Sequence, residues 1–541
     1  MAVGEFLVSW LSVPADMSWW ALPLYTLLFL GLCWLMSSLW TYYRLLSLNT
    51  PPGPTPLPFI GNFAFMLLPG WLLSVLNLGL EIDRSRMVPA GGRRRAAFLH
   101  PHIILTNMAK TYGSMYSLYI GNQLLVILND FDTVKDAMVN HSEVFSDRPS
   151  VPMVNIITKR KGIVFAKYGP IWRQQRRFSH TTLRHFGLGK LSLEPKIIEE
   201  FKYVKEELLN FGGEPFSPFQ IINNAVSNVI CSISFGKRFN YEDEEFKTML
   251  RLMSRGLEIC LNSEAVMSNI CSWLYYLPFG PFKELRQIVI DITAFLKKII
   301  EEHKATLDPD NPRDFIDMYL LHVEEQKAQK DSSFDTEYLF YIIGDLFIAG
   351  TDTTTNTLLW SLLYMCLHTD IQKKVQDEID TVIGRDRPPS LTDKTHMPFT
   401  EATIMEVQRM TVVVPLSVPH MTSESTEFQG YHIPKGAVVL ANLWALHRDP
   451  KVWKNPNDFN PSRFLDENGQ VLKQEEFIPF GIGRRVCMGE QLAKMELFLM
   501  FVNLLQMFTF NFADDTFAPA LEGRFGLTLA PYPFDIRIAK R

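Results

Sequence analysis

Six cysteines in 541 residues are few, and none falls in a Cys-x-x-Cys pair. Cys33, Cys231, Cys260, Cys271, Cys366 and Cys487 are scattered along the chain. That spacing argues against a thiolate zinc site and against a disulfide scaffold. It points to a reducing compartment for the bulk of the chain. An excess of positive charge is also missing. The formal net charge is −5, which leaves no electrostatic footprint for nucleic acid. Internal repeats and low-complexity tracts are absent too, so neither a solenoid nor a disordered polar tract dominates. What is present is ample core material, with 47% of residues hydrophobic. Length alone suggests several domains, though large single-domain enzymes break that rule.

The N-terminal part lacks charge over one long run. Trp19 to Trp40 holds 22 residues without Asp, Glu, Lys or Arg. As a helix it would span about 33 Å, against a hydrocarbon core of about 30 Å. Trp19, Trp20, Trp40, Tyr42 and Tyr43 sit at its ends like an aromatic belt. A cleaved signal peptide is the competing reading. The run is long for one, and no Lys or Arg precedes it. A retained single-pass anchor is therefore expected. Arg44 follows the run, and Arg84, Arg86, Arg93, Arg94 and Arg95 come later. The positive-inside rule then puts the large C-terminal part in the cytosol.

Composition divides the chain into a tail at 1–18, an anchor at 19–40, a hinge at 41–58 and a globular unit at 59–541. The hinge carries Pro51, Pro52, Pro54, Pro56 and Pro58, which makes it stiff and non-helical. A segment at about 70–100 reads as an insertion. Its apolar Leu72, Leu73 and Leu76 beside the arginines suit a membrane surface or a solvated insertion. Tyr116 to Leu128 reads as a small β-lobe. Helical patterns follow from Thr133 to about Met410, and Ala437 to Leu440 suggests a second strand cluster. The fold class expected is mostly α with minor β structure.

Phe480-Gly-Ile-Gly-Arg-Arg-Val-Cys487-Met-Gly489 is the most informative stretch. One cysteine lies in a glycine-punctuated loop, and an apolar run from Leu492 to Val502 follows as a helix. Unpaired N–H groups and the macrodipole at a helix start favour a thiolate there. A lone cysteine is ordinarily a small buried hydrophobe. This string, however, fits Phe-x-x-Gly-x-Arg-x-Cys-x-Gly and resembles the haem-binding loop of the cytochrome P-450 family. The resemblance implies a P-450 fold in one large haem domain, with Cys487 as axial ligand of the haem iron. Such a thiolate pushes electron density toward bound oxygen.

Asp335 to Leu367 reads as one long helix with Asp335 as N-cap. Its apolar middle is broken by Gly344, Asp345, Gly350, Thr351, Asp352, Thr353, Thr354 and Thr355. Residues four apart share a face, so Ala349 with Thr353 and Gly350 with Thr354 form a polar notch. A glycine-kinked core helix with self-satisfied threonines is the plainer alternative. Ala349-Gly-Thr-Asp-Thr-Thr354 is similar to the family's oxygen-activation motif. By that match Asp352 and Thr353 are the acid–alcohol pair that delivers protons through water.

Three further sets follow the resemblance. Glu406 and Arg409 match the family's Glu-x-x-Arg, and Arg463 in Pro461-Ser-Arg-Phe464 matches its third member, a structural network. Trp172, Arg176, His420 and Arg485 match the partners of the haem propionates. Arg173, Arg177 and Arg484 suggest a basic face for an acidic flavoprotein reductase, or a merely solvated surface.

Phe165-Ala166, Trp172 to Phe178, Ile348 to Thr354 and Phe480 to Gly489 resemble microsomal family two. Ser179 to Lys190, Leu191 to Glu199 and the insertion resemble its U-type members, hydroxylases of long-chain fatty acids. The implied reaction uses O2 and NADPH-derived electrons, passed by NADPH–cytochrome P-450 reductase with cytochrome b5 as a second donor. It hydroxylates acids such as arachidonic acid at or near the ω end. Val151 to Ala166, Val413 to Val418 and the long helix would wall an apolar channel. The expected location is the endoplasmic reticulum membrane, with a mitochondrial pool left open. Alternatives are epoxidation or hydroxylation of other lipids, steroids or xenobiotics, a reductase-independent haem-thiolate isomerase, and a non-catalytic haem protein.

Overall fold

A computed structural model describes residues 47–56, 61–62, 100–261, 275–327, 332–514 and 519–541, with isolated positions between 26 and 43. Helices dominate. The longest, Thr336–Leu367, spans 32 residues and is called the central helix below. It starts where expected, because Asp335 Oδ1 accepts from the Tyr338 N–H at 2.6 Å. Every residue from Thr354 to Cys366 is buried, as the all-round apolar pattern requires. It packs against Phe219–Ser234, Pro398–Thr411 and Glu490–Met507. The last of these, the Cys-loop helix, is itself buried throughout Leu497 to Leu505. Two helices apolar on all sides fix each other in the core, each buried Leu or Phe stabilising by about 1.5–3 kcal/mol.

Strands β1 (Met115–Ile120) and β2 (Gln123–Leu128) form an antiparallel hairpin around Gly121-Asn122. Far along the chain come β3 (His420–Met421), β4 (Thr426–Phe428), β5 (Tyr431–Ile433) and β6 (Val438–Ala441). After the Cys-loop helix follow β7 (Phe508–Phe512), β8 (Arg524–Phe525), β9 (Leu529–Ala530) and β10 (Ile536–Lys540). The strand expected near Ala437–Leu440 is not a separate cluster. As β6 it runs parallel to β2 and antiparallel to β3, giving one sheet in the order β1-β2-β6-β3. The loop geometry around 420 and the first hairpin are thereby locked together. The strands β7 and β10 pair, as do β4 with β5 and β8 with β9.

The described part of the proline-rich hinge is docked rather than free. The carbonyls of Pro51 and Pro52 accept from Ser117 Oγ at 2.6 Å and Ser117 N at 2.7 Å. Asn62 N donates to the Tyr119 carbonyl at 2.6 Å, and Asn62 Oδ1 accepts from Tyr119 N at 2.7 Å. These bonds cover the open edge of β1. The globular unit thus begins before residue 59. Most of the expected span at 19–40, and nearly all of the insertion at about 70–100, lie outside the described residues. Among the described residues no helix is long and apolar enough to cross a membrane.

Candidate active site

The Cys loop is built by close backbone approach. Gly483 has φ +82, and an added Cβ would sit 2.0 Å from the Met138 carbonyl oxygen, so no other residue fits there. Cys487 N donates to the Phe480 carbonyl at 3.0 Å, closing the loop. The Cys-loop helix, Glu490–Met507, then starts with Gly489 as N-cap. The Cys487 side chain is exposed, although protein encloses the region around it. Contrary to expectation, enclosure pushes its thiol pKa up. The Gly489 and Glu490 N–H groups and the Arg176 guanidinium pull it down, against the Glu490 carboxylate. The protein alone favours the thiol, and a metal cation would have to displace the proton on binding.

The expected propionate partners do converge. Trp172 is buried and its Nε1 donates to the Ile163 carbonyl at 3.0 Å. Arg176 Nη2 donates to the Val486 carbonyl at 2.5 Å, one residue from Cys487. Arg485 donates to the carbonyls of Ser146, Ile163 and Ala166 at 3.0, 3.0 and 2.7 Å. Both guanidinium groups lie over the Trp172 ring. His420 Nδ1 donates to the Phe145 carbonyl at 2.7 Å.

A fifth member, Arg148, went unread in the sequence, where it is one arginine in a loop before Pro149. It is 4% exposed and donates to the carbonyls of Val164, Val418 and Pro419, each at 2.9 Å. Burial, then Arg485 and Arg176, holds its pKa well below the usual arginine range. Burial and Arg176 bring Arg485 down to about 9. Burial and Arg148 keep His420 neutral. Three guanidinium groups enclosed together repel one another, and an incoming dianion would relieve that repulsion. The residues therefore fit the two carboxylates of haem.

On the central helix the expected notch is half right. Ala349 is exposed, and Thr353 Oγ1 donates to its carbonyl at 2.7 Å. Gly350 and Thr354 are not open. A Cβ on Gly350 would sit 2.4 Å from Ile230 Cδ1, and Thr354 is 4% exposed. The missing side chain of Gly350 serves packing of Phe219–Ser234 against the central helix. Asp352 lies beside Thr353 in sequence, but its carboxyl goes elsewhere. Thr528 Oγ1 donates to Asp352 Oδ2 at 2.5 Å, and Asn356 Nδ2 donates to Oδ1 at 3.3 Å. Burial raises the Asp352 pKa, while these donors and Arg524 lower it.

About two turns before that pair, Asp345 Oδ2 accepts from the N–H groups of Ile163 and Val164 at 2.6 and 2.9 Å. It ties the 151–166 segment to the central helix. Its charge inside an apolar run was a signal that the sequence did carry.

Residues 94–538 match the family model described as Cytochrome P450. Cytochrome P450 2U1 of Homo sapiens is 62% identical over 516 residues, 95% of this chain and 93% of its own. The Mus musculus protein of that name is 63% identical over 492 residues, 91% of each chain. Cytochrome P450 2J2 of Homo sapiens is 40% identical over 483 residues, 89% of this chain and 90% of its own. The chain belongs to the cytochrome P450 family. Its similarity to these relatives places it in family two. In a P450, haem supplies activation of O2 with NADPH-derived electrons and insertion of one oxygen atom. Here Cys487 Sγ would hold the iron, and Trp172, Arg148, Arg176, His420 and Arg485 would meet the propionates.

Below the haem site, the P450 network assembles from three separate segments. Glu406 and Arg409 are wholly buried and bond twice, at 2.7 and 2.9 Å. Arg463 Nε donates to Glu406 Oε1 at 2.9 Å. Arg409 also donates to the carbonyls of His447 and Pro456 at 2.8 and 2.9 Å. One carboxylate serves both guanidinium groups and backbone carbonyls take their other N–H donors, which is what makes a buried ionic group tolerable.

The basic face on the Cys487 side of this P450 is less free than its sequence suggests. Glu143 pairs with Arg173 at 2.9 Å and with Arg484 at 2.6 Å. Arg177 is exposed and has no ion pair among the described residues.

Proposed function

We propose that this P450 monooxygenase hydroxylates long-chain fatty acids at or near the ω end. It would work at the endoplasmic reticulum membrane with NADPH–cytochrome P450 reductase. The observation that carries the substrate class is the likeness of Ser179 to Lys190 and Leu191 to Glu199 to U-type fatty acid hydroxylases. Identity of 62% to human cytochrome P450 2U1 supports it. The expected walls at 151–166 and 413–418 are rich in Val, Ile and Leu and suit an alkyl chain. The 19–40 run supplies the single-pass anchor in this reading, with the catalytic domain cytosolic.

In the reaction, Thr353 and Asp352 hold and pass protons. The Thr353 hydroxyl, lent to the Ala349 carbonyl at rest, is free to turn toward water. Asp352 is the acid that recharges it. General acid–base participation of this kind is worth about 10²–10⁴ in rate.

The test is turnover of the full chain with purified reductase, NADPH, isotopically labelled O2 and arachidonic acid. The expected product is a monohydroxy acid labelled at the terminal or adjacent carbon. NADPH oxidation that arachidonic acid fails to stimulate would sink the substrate assignment. Thr353→Ala is expected to keep haem and to release more hydrogen peroxide per NADPH. Unchanged product per NADPH in that variant would remove the relay role.

A further inference from the structure

Asp352 is not simply a neighbour of Thr353. Its carboxyl is clasped by a residue 176 positions away, on the turn between β8 and β9. Thr528 is 5% exposed and Asn356 is 3% exposed. Asn356 Nδ2 donates to Thr528 Oγ1 at 2.8 Å. That bond occupies the hydroxyl as an acceptor and directs its own proton to Asp352 Oδ2 at 2.5 Å. Asn356 lies four residues after Asp352, on the same helix face, and reaches Oδ1 only at 3.3 Å. The two carboxyl oxygens are thus made unequal. Oδ2 is held by a short bond, and Oδ1 is nearly free.

The clasp is itself fixed. Leu529 N donates to the Val413 carbonyl at 2.7 Å, and Trp360 Nε1 donates to the Leu529 carbonyl at 2.8 Å. The turn is therefore pinned to the central helix and to the 413–418 wall. Arg524 on β8 is the charged group that faces Asp352 from this side.

We propose that Thr528, oriented by Asn356, is a positioning residue for proton delivery: it docks Asp352 through Oδ2 and leaves Oδ1 as the oxygen that carries the proton to Thr353. The proposal rests on the reading of Asp352 and Thr353 as the relay. An acid that must hand over a proton works best with one defined donor oxygen. A carboxyl free to spin would present either oxygen and lose that definition.

The experiment compares wild type, Thr528→Val and Thr528→Ser as haem-loaded full-length protein. Infrared titration in the resting ferric state reports the Asp352 carboxyl, assigned by its loss in Asp352→Asn. Valine keeps the shape and removes the hydroxyl, so the Asp352 pKa is expected to rise by about one pH unit. Product per NADPH is expected to fall about fivefold, with hydrogen peroxide rising to match. Serine is expected to restore both. A valine variant with normal haem content and either readout unchanged overturns the proposal. If valine prevents haem loading, Asn356→Ala is judged by the same two readouts. Thr353→Ala, run alongside, separates the failures. If its coupling equals wild type, the relay reading falls by itself, whatever the Thr528 variants do.

Discussion

A carboxylate without a cation beside it is an unusual residue to keep in a core, and Asp345 is one. Among the described residues its hydrogen-bond partners are the Ile163 and Val164 N–H groups. Burial pushes its pKa up to about 6 despite them, against about 3.9 in an unfolded chain. The folded value lies above the unfolded one, so its contribution to stability is fully present below about pH 4. It is lost as pH rises through 6, by at most about 3 kcal/mol. Asparagine can accept the same two N–H bonds without ionising. Asp345→Asn is therefore expected to gain on wild type between pH 4.5 and 7. Denaturation midpoints at those two pH values check it, and an equal difference at both would refute the burial argument. The tether explains why the charge is tolerated: it holds the 151–166 segment, whose carbonyls also receive Trp172, Arg148 and Arg485.

Elements raise a different question, that of how separate segments come to share one charge network. Glu406 and Arg409 are one turn apart on Pro398–Thr411, while Arg463 and the His447 and Pro456 carbonyls arrive from later loops. Glu406→Gln keeps the shape but leaves two guanidinium groups without a carboxylate. Breaking one partner of a buried ionic group costs about 3–5 kcal/mol. Expression is expected to yield mostly haem-free protein, read as ferrous–CO absorbance per mole of chain. Normal haem content would mean that the loops hold without the ion pairs. This network was legible because its members sit in short contiguous motifs. So were the Cys loop, the central helix and its N-cap. The packing role of Gly350 was not, because Ile230 lies 120 residues earlier in the chain. Arg148 and Thr528 escaped for the same reason: their meaning resides in carbonyls and carboxyls contributed by distant segments. At Cys487 the local N–H donors that lower the thiol pKa are legible in sequence, and the enclosure by the whole fold that outweighs them is not.

At the scale of the whole molecule, the face around Cys487 must meet a partner that supplies electrons. Arg173 and Arg177 lie on Pro170–His185, and Arg176 of that helix bonds the Cys loop itself. Arg484 comes from the loop. Two of the three arginines, Arg173 and Arg484, share one acidic residue, Glu143, whose carboxylate also accepts from Tyr168 Oη at 3.0 Å. Pairs this exposed add little to stability, so the main effect of Glu143 is on the field the face presents. Glu143→Gln removes one negative charge and leaves Arg173 and Arg484 as unopposed as Arg177 already is. Association steered by charge should then quicken at low ionic strength, about two- to threefold, and lose the gain as salt screens it. Stopped-flow reduction by the flavoprotein reductase, followed as the ferrous–CO complex at two ionic strengths, measures this. A Glu143→Gln protein reduced at the wild-type rate, with the wild-type salt dependence, would place the docking surface elsewhere. Slower reduction would instead assign Glu143 the task of holding Arg173 and Arg484 in the geometry the partner reads, since the carboxylate is what brings the two side chains together.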